Sequence, residues 1–292
     1  MVELKIGVFL ATAKSGEDEQ LKDLAQGINK TGDWCFLHKN PTYRECDVAV
    51  IHGTTEWIKD KYYNKAKQII YDNHKGRTIH MDGTILRNST DKKLYRISLN
   101  SVFPSTADYV NQNSSSDRWN TLGIEIKPWR SNGDHILLYL QSNKGWSMKG
   151  VDPICWAIDT INTLRKYTDR KILIRCHPSS KFDQKIFNQK NIHFSNLERK
   201  YDVKYDMINA WATVMFNSSV STDNIVNGIP VFLGDNDCLS YPVANTDLSR
   251  IESPDLPARE QWCYNLAYSS WTSYEMKNGI VWERFKHRIE NG

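Results

Sequence analysis

The residues best suited to chemistry gather in two stretches of the second half of the chain. In ILIRCHP, an apolar run stops at Arg175, Cys176, His177 and Pro178. In MFNSSVSTDNIVNGIPVFLGD, Val214, Met215 and Phe216 give way to Asn217, Ser218 and Ser219, with Ser221 close behind. Each reads as a buried strand ending abruptly in polar side chains, and the carboxyl ends of parallel strands are where open α/β sheets bind ligands. Serines that open a helix offer hydroxyls, free backbone N–H groups and the positive end of a dipole, a donor set that suits phosphate. Ordinary helix capping is the alternative, but it needs one Ser rather than a cluster. His177 can donate to a phosphate or to a leaving-group oxygen, or simply hydrogen-bond the backbone. Arg175 lies on the same strand face, as a ligand-binding cation or as half of a buried ion pair.

Two further regions carry candidates. The loop QSNKGWSMKG, Gln141 to Gly150, offers Lys144 and Lys149 as cations, Gly145 for backbone freedom and Trp146 as an aromatic face. Such a loop can close over phosphates or a base, or its lysines can simply be solvated. In the first half, strand ends present His52, Asp82 and the loop from Thr12 to Glu17. A carboxylate facing a cleft can take the proton of an acceptor hydroxyl, which makes Asp82 the first candidate base and His52 the second. Asp82-Gly83 is also a common turn pair.

The elements that must position these groups alternate. Strands are expected at Leu4–Leu10, Asp33–His38, Asp47–Ile51 and Thr78–Met81, with helical periodicity over Glu19–Asn29 and Trp57–His74. The pattern weakens between Leu86 and Arg130, where NQNSSSD is a polar loop by composition. It restarts with strands at His135–Leu140, Lys171–Cys176, Ile192–Phe194, Thr213–Phe216 and Val231–Leu233. Helices are expected at Pro153–Tyr167, Tyr205–Ala210 and Thr222–Asn227, and helical sequence dominates from Ala258 onward. This rhythm predicts parallel sheets with covered faces. The reading is two Rossmann-like domains facing a cleft: an acceptor-side domain over 1–130, a nucleotide-binding domain over 131–270, and a C-terminal helix over 271–292 returning to the first domain.

Composition narrows the classes. A chain of 292 residues, 40% hydrophobic and 25% charged, is ordinary for a globular protein. Ten Trp and fourteen Tyr hint at sugar- or base-stacking surfaces beyond core packing. The net charge of +4 permits a polyanionic partner without requiring one. Six scattered cysteines form no CxxC pair, which argues against zinc. The N-terminus enters a strand-like run with no signal-type apolar segment, and no run of about 18 apolar residues could span a membrane. These features suggest a cytoplasmic protein with reduced thiols. No P-loop, no GxSxG elbow and no GxGxxG after the first strand is present. Asp235-Asn236-Asp237 is the nearest approach to a metal-holding DxD triplet, so metal dependence is not expected.

The stretch HPSS (His177 to Ser180), followed by Asn217 to Asp235, resembles the nucleotide-binding half of GT-B glycosyltransferases. The likeness is greatest to bacterial capsule sialyl- and Kdo-transferases, where an HP pair and an SS pair grip the phosphate of a nucleotide sugar. It covers mainly residues 134–240, and implies that His177, Ser218 and Ser219 hold donor phosphate. The tail Gln261 to Phe285, with KPWR before the second domain, looks like small phage-encoded glycosyltransferases, some of which glycosylate hydroxymethylated bases in their own DNA. What the resemblance implies is a GT-B-like, metal-independent glycosyltransferase with a nucleotide sugar as co-substrate and no other cofactor. The preferred acceptor is then a 5-hydroxymethyl pyrimidine in phage DNA, in the host cytoplasm, with the base flipped out of the duplex. Transfer to a cell-surface glycan, or non-catalytic binding of a nucleotide sugar, are the alternatives.

Overall fold

Apolar runs bounded by turn residues form strands, and the amphipathic segments between them form helices, in the computed structural model. It describes residues 4–10, 17–39, 42–54, 64–142, 146–178, 180, 182–187, 189–196 and 203–291. In chain order the elements are β1 (Lys5–Phe9), α1 (Glu17–Lys30), β2 (Trp34–His38), β3 (Val48–His52), α2 (Asn64–Asn73), β4 (Arg77–Ile85), β5 (Leu94–Leu99) and α3 (Asp117–Leu122). They continue with β6 (His135–Leu140), α4 (Pro153–Leu164), β7 (Lys171–Cys176), β8 (Ile192–Phe194), α5 (Lys204–Met207), β9 (Ala210–Met215), α6 (Val220–Val226) and β10 (Val231–Leu233). The chain closes with α7 (Glu260–Tyr268), β11 (Ser270–Trp271), α8 (Ser273–Lys277) and α9 (Ile280–Asn291).

Contacts divide the chain into two units. The first holds the chain up to Arg87, Asp91–Leu122 and everything from Cys263 onward; the second holds Asn88–Thr90 and Gly123–Trp262. Residues 127–130, assigned to the first domain in the sequence reading, are tied into the second unit by bonds from Lys127 N to Val226 O, 2.9 Å, and from Arg130 N to Gly228 O, 2.8 Å.

The first unit carries a six-stranded sheet in the order β11-β5-β4-β3-β1-β2. Its β2-β1-β3-β4 portion is parallel, while β5 and β11 are antiparallel additions. Leu21, Leu24 and Ile28 of α1 bury their apolar face in a core shared with Trp271, Met276, Trp282 and Phe285. The C-terminal helices therefore pack back on the first unit, and buried polar contacts lock them there. Trp282 Nε1 donates to Asp33 Oδ2 at 2.6 Å, and Lys286 Nζ reaches the same carboxylate at 2.8 Å. Arg118 spans Glu275, the Ala267 carbonyl and the Trp271 ring face.

The second unit is a five-stranded parallel sheet in the order β10-β9-β6-β7-β8. Central β6 is buried on both faces: Ile136, Leu138 and Leu140 pack with Ala157 and Ile161 of α4, and Leu137 and Tyr139 with Ile225 of α6. That two-sided burial explains its unbroken apolar sequence. Helix α4 starts where Asp152 accepts hydrogen bonds from Ile154 N and Cys155 N and Pro153 takes the first helical position. Among the described residues no helix is long and apolar enough to cross a membrane.

Four expectations need correcting. The strand placed at Thr78–Met81 runs on to Ile85, because β5 pairs with its second half across a bulge between Asp82 and Thr84. The region from Leu86 to Arg130 contains β5 itself. Helical character over Tyr205–Ala210 stops at Met207, and Ala210 already opens β9. The tail is interrupted by β11. Of the helix expected over Trp57–His74, the part before Asn64 lies outside the described residues, as does most of the loop from Thr12 to Glu17.

The α1–α8 contact is tight enough to test. Gly27 sits where a methyl group would overlap the carbonyl oxygen of Met276. Gly27→Ala should destabilise the protein by about 2 kcal/mol, the usual cost of overpacking, and lower its melting temperature by several degrees. Calorimetry that finds no decrease would contradict this packing.

Candidate functional site

Strand order reverses between β6 and β9, the two neighbours in the second unit from which the chain winds in opposite directions. A crevice opens at such a reversal because the loops leaving the two strands diverge. The strand-end loops begin side by side. His177 N bonds to Leu140 O at 2.9 Å, and Gly234 N bonds to Met215 O at 2.9 Å. Gln141, just beyond β6, donates from Nε2 to Asn217 O at 2.8 Å and accepts from Asn217 N at Oε1 at 2.7 Å. Its second amide hydrogen goes to Ser147 Oγ at 3.0 Å. Asn217 Nδ2 in turn donates to Asp235 Oδ2 at 2.8 Å. Lys149 Nζ bridges the carboxylates of Asp235 and Asp237 at 2.9 and 2.6 Å. Burial alone would depress the ammonium, but its bonds to Asp237 and Asp235 raise its pKa above the ordinary value.

Ser218 and Ser219 follow in the same loop, both half-buried. Ser219 is the residue before α6, yet its side chain does not cap the helix. Neither hydroxyl has a hydrogen-bond partner among the described residues. At seven residues α6 is too short for its dipole to contribute much, so any binding power here lies in the hydroxyl and N–H donors themselves. His177 stands exposed at the end of β7, and Ser180 Oγ of that loop meets Ser142 Oγ of the β6 loop at 3.2 Å.

Two candidates are committed elsewhere. Ser221 is fully buried; it accepts a 2.6 Å bond from Ser240 Oγ and contacts Cys238 Sγ at 3.3 Å. It lies inside α6, on the face turned toward Cys238 and Ser240. Arg175 is 5% exposed and forms an ion pair with Asp206, while Ser195 Oγ donates to the same carboxylate at 2.6 Å. The geometry therefore supports the ion-pair alternative for Arg175 rather than a cation turned to a ligand. Lys144 lies outside the described residues. Sequence reasoning missed Gln141, Asp235 and Asp237 as members of the cluster. The signal available was the pairing of the acidic DND triplet with a lysine in the first loop of the unit. Among the described residues no three His, Cys, Asp or Glu side chains come together to hold a metal ion.

In the first unit the parallel order reverses between β1 and β3, and His52 ends β3 at that point. Asp82 is not a strand-end residue: it sits within β4, opposite Arg96 of β5, and the two form an ion pair. Their side chains are 18% and 8% exposed. Burial pushes the Asp82 carboxyl up, but the Arg96 guanidinium, the Gly83 N–H and nearby His52 outweigh it and hold the pKa below its ordinary 3.8.

No family model matches this sequence, and no curated protein matches it. Solved structures do. The β-Kdo 2,4-transferase of Thermosulfurimonas dismutans KpsC aligns over 96% of this chain and 99% of its own, with a TM-score of 0.54 at 9% identity. The β-Kdo 2,7-transferase of the same organism's KpsC aligns over 96% and 99%, with a TM-score of 0.52 at 10% identity. Both are GT-B-type structures, and the likeness establishes the fold: two α/β units, each built on parallel strands, in a GT-B-like chain with C-terminal helices packed on the first unit.

The depressed pKa of Asp82 has a stability consequence. A carboxylate held below its unfolded value contributes stability above that value and loses it as the pH falls through the folded one. Asp82→Asn should cost about 3 kcal/mol at neutral pH, because it removes the carboxylate paired with the Arg96 charge. The gap between variant and native protein should narrow as the pH drops below 3.8. Urea melts at several pH values measure this; a gap independent of pH would contradict the ion pair.

Proposed function

We propose that this chain is a GT-B-type glycosyltransferase that moves a sugar from a nucleotide-sugar donor to an acceptor hydroxyl. The observation that carries the reading is the pair Ser218 and Ser219. Their hydroxyls have no partner among the described residues and stand at the strand-order reversal of a fold like that of two Kdo transferases. In this reading Ser218, Ser219 and His177 hold the donor phosphate. They stabilise the charge that grows on it as the bond to the anomeric carbon breaks. Gln141 and Asn217 position the serine loop through the backbone. Lys144 remains a candidate donor-binding cation on the evidence of its sequence position.

The acceptor oxygen forms the new bond to the anomeric carbon, and its proton passes to a base. Asp82 and His52 are the candidates. A base works best when its pKa lies near the operating pH. Asp82 is held low by Arg96, which makes it a weak acceptor of protons. His52, which ends β3 at the strand-order reversal of the first unit, is therefore the stronger choice. Loss of turnover in His52→Ala with turnover kept in Asp82→Ala supports that order. A protein that binds nucleotide but never turns over would instead be a non-catalytic binding module.

For the acceptor, the resemblance of the tail to phage enzymes supports a 5-hydroxymethyl pyrimidine in DNA. The fold likeness to two Kdo transferases favours a glycan hydroxyl. Sugar transfer from a panel of nucleotide sugars to hydroxymethylcytosine DNA and to oligosaccharides separates the two readings by which acceptor becomes labelled.

Donor binding is tested first. In a thermal-shift screen with UDP, CDP, GDP and CMP, at least one nucleotide should raise the melting temperature, since a ligand that binds only the folded state stabilises it. Ser218→Ala/Ser219→Ala should weaken that nucleotide about tenfold or more, roughly one to two lost hydrogen bonds to a charged group. No shift with any nucleotide, or equal shifts in the double variant, would overturn the reading.

A further inference from the structure

Beside the carboxyl end of β10 the second unit has an open cavity of about 390 Å³, within the range of small-molecule sites. None of the described phosphate-binding candidates lines it. Its lining includes Trp156 and Thr160 of α4, and Asn236, Tyr241 and Thr246 from the segment after β10. We propose that this cavity is a saccharide site that takes a neutral sugar ring.

Three observations carry the assignment. The first is unmet hydrogen bonding. Thr160 is 6% exposed, and its hydroxyl has no partner among the described residues. The side chains of Asn236, Tyr241 and Thr246 likewise have none. Asn236, Tyr241 and Thr246 are exposed, so their polar groups can exchange water for the hydroxyls of a ligand. The second is the aromatic wall. Trp156 stands edge-on to Phe216 with ring centroids 5.9 Å apart, and Gly234 lets the backbone approach it: a Cβ at 234 would lie 2.7 Å from the indole nitrogen. Tyr241 remains 45% exposed. Aromatic faces beside neutral amide and hydroxyl groups match a sugar ring, which offers apolar C–H faces and a rim of hydroxyls.

The third observation is charge. Among the described residues no Lys, Arg or His lines the cavity. The charged residue among the described lining is Asp235, and Asn217, Lys149 and the Asp237 N–H already occupy that carboxylate. The described lining therefore offers a phosphate no cation, whereas a neutral ring needs none. The inference goes beyond the donor reading and does not depend on it. The ring can belong to a free or glycan-terminal saccharide, or to the sugar of a nucleotide donor.

The test is a titration of the full-length protein with methyl glycosides of glucose, galactose, mannose and N-acetylglucosamine, followed by saturation-transfer NMR and tryptophan fluorescence. At least one glycoside should bind in the millimolar range. Tyr241→Ala and Thr160→Val should each weaken it about tenfold, while Tyr241→Phe, which keeps the ring, should weaken it less. A nucleotide sugar that displaces the glycoside while its free nucleotide does not assigns the ring to the donor. Co-binding of both assigns it to a separate saccharide. Either result supports the site. No glycoside binding, binding unchanged in Tyr241→Ala and Thr160→Val, or tighter binding of uridine and cytidine than of any glycoside would overturn it. A protein that binds glycosides but no nucleotide would remove the donor reading and leave this one standing.

Discussion

Beyond the ends of β6 and β9 the sheet ladder stops, and the two chains leave in opposite directions with backbone groups that no strand can pair. An unpaired backbone N–H or C=O away from water costs as much as a lost hydrogen bond. Gln141 resolves this with one carboxamide, which accepts from the Asn217 N–H and donates to the Asn217 carbonyl. The side chain is 7% exposed, and its remaining hydrogen is fixed by Ser147. It therefore acts as an extra rung of the ladder, at the one place where the sheet topology cannot supply it. The position of Ser218 and Ser219 follows, because they are the next residues along.

That rung extends sideways. Asn217 reaches Asp235, and Lys149 ties Asp235 to Asp237, so the loops after β6, β9 and β10 form one connected polar network. Lys149 adopts a left-handed backbone, φ 46°, which a side chain other than glycine accepts only at some cost. Its two ion pairs offset that cost. The charge balance matters for binding. Within this network two carboxylates face one ammonium, so an anion at Ser218 and Ser219 is met by hydroxyls and N–H groups rather than by Lys149. Ser221 and Arg175 show the other side of the same economy: both are polar, both lie close to the strand ends, and both are satisfied inside the protein.

Much of the second unit was legible in the sequence, because strands buried on both faces leave long apolar runs. His135–Leu140, Lys171–Cys176, Ile192–Phe194 and Val231–Leu233 stand where the pattern put them. β5 was not legible. It carries Arg96 and Ser98 buried in its middle, and these polar residues break the apolar signal that marks a strand. Arg96 pairs with Asp82 across from it, a pairing invisible before the two strands are aligned. For the same reason Asp82 reads as a strand-end base in the sequence and as an ion-pair partner in the fold. The serine loop and the His-Pro turn were readable from residue type and position alone. Gln141 was not, since its role comes from a side chain meeting a loop distant in sequence.

The first unit repeats the pinning device with different chemistry. Past His52, the chain turns through Gly53 with φ 72°, and Gly53 N bonds to Met81 O at 2.6 Å. The Gly53 carbonyl is met at 2.9 Å by Nδ1 of His80, whose Nε2 lies 2.9 Å from the Thr78 hydroxyl. A carbonyl can only accept, so Nδ1 must carry the proton and Nε2 must accept from Thr78. Burial holds the His80 pKa below its ordinary value, which keeps the ring in that neutral tautomer. His80 thus does for the turn after His52 what Gln141 does for the turn after β9. In both units a buried side chain meets backbone groups just past a strand end at the reversal of strand order: Gln141 meets both the N–H and the carbonyl of Asn217, and His80 the carbonyl of Gly53. The residues positioned in the second unit, Ser218 and Ser219, keep hydroxyls with no partner among the described residues.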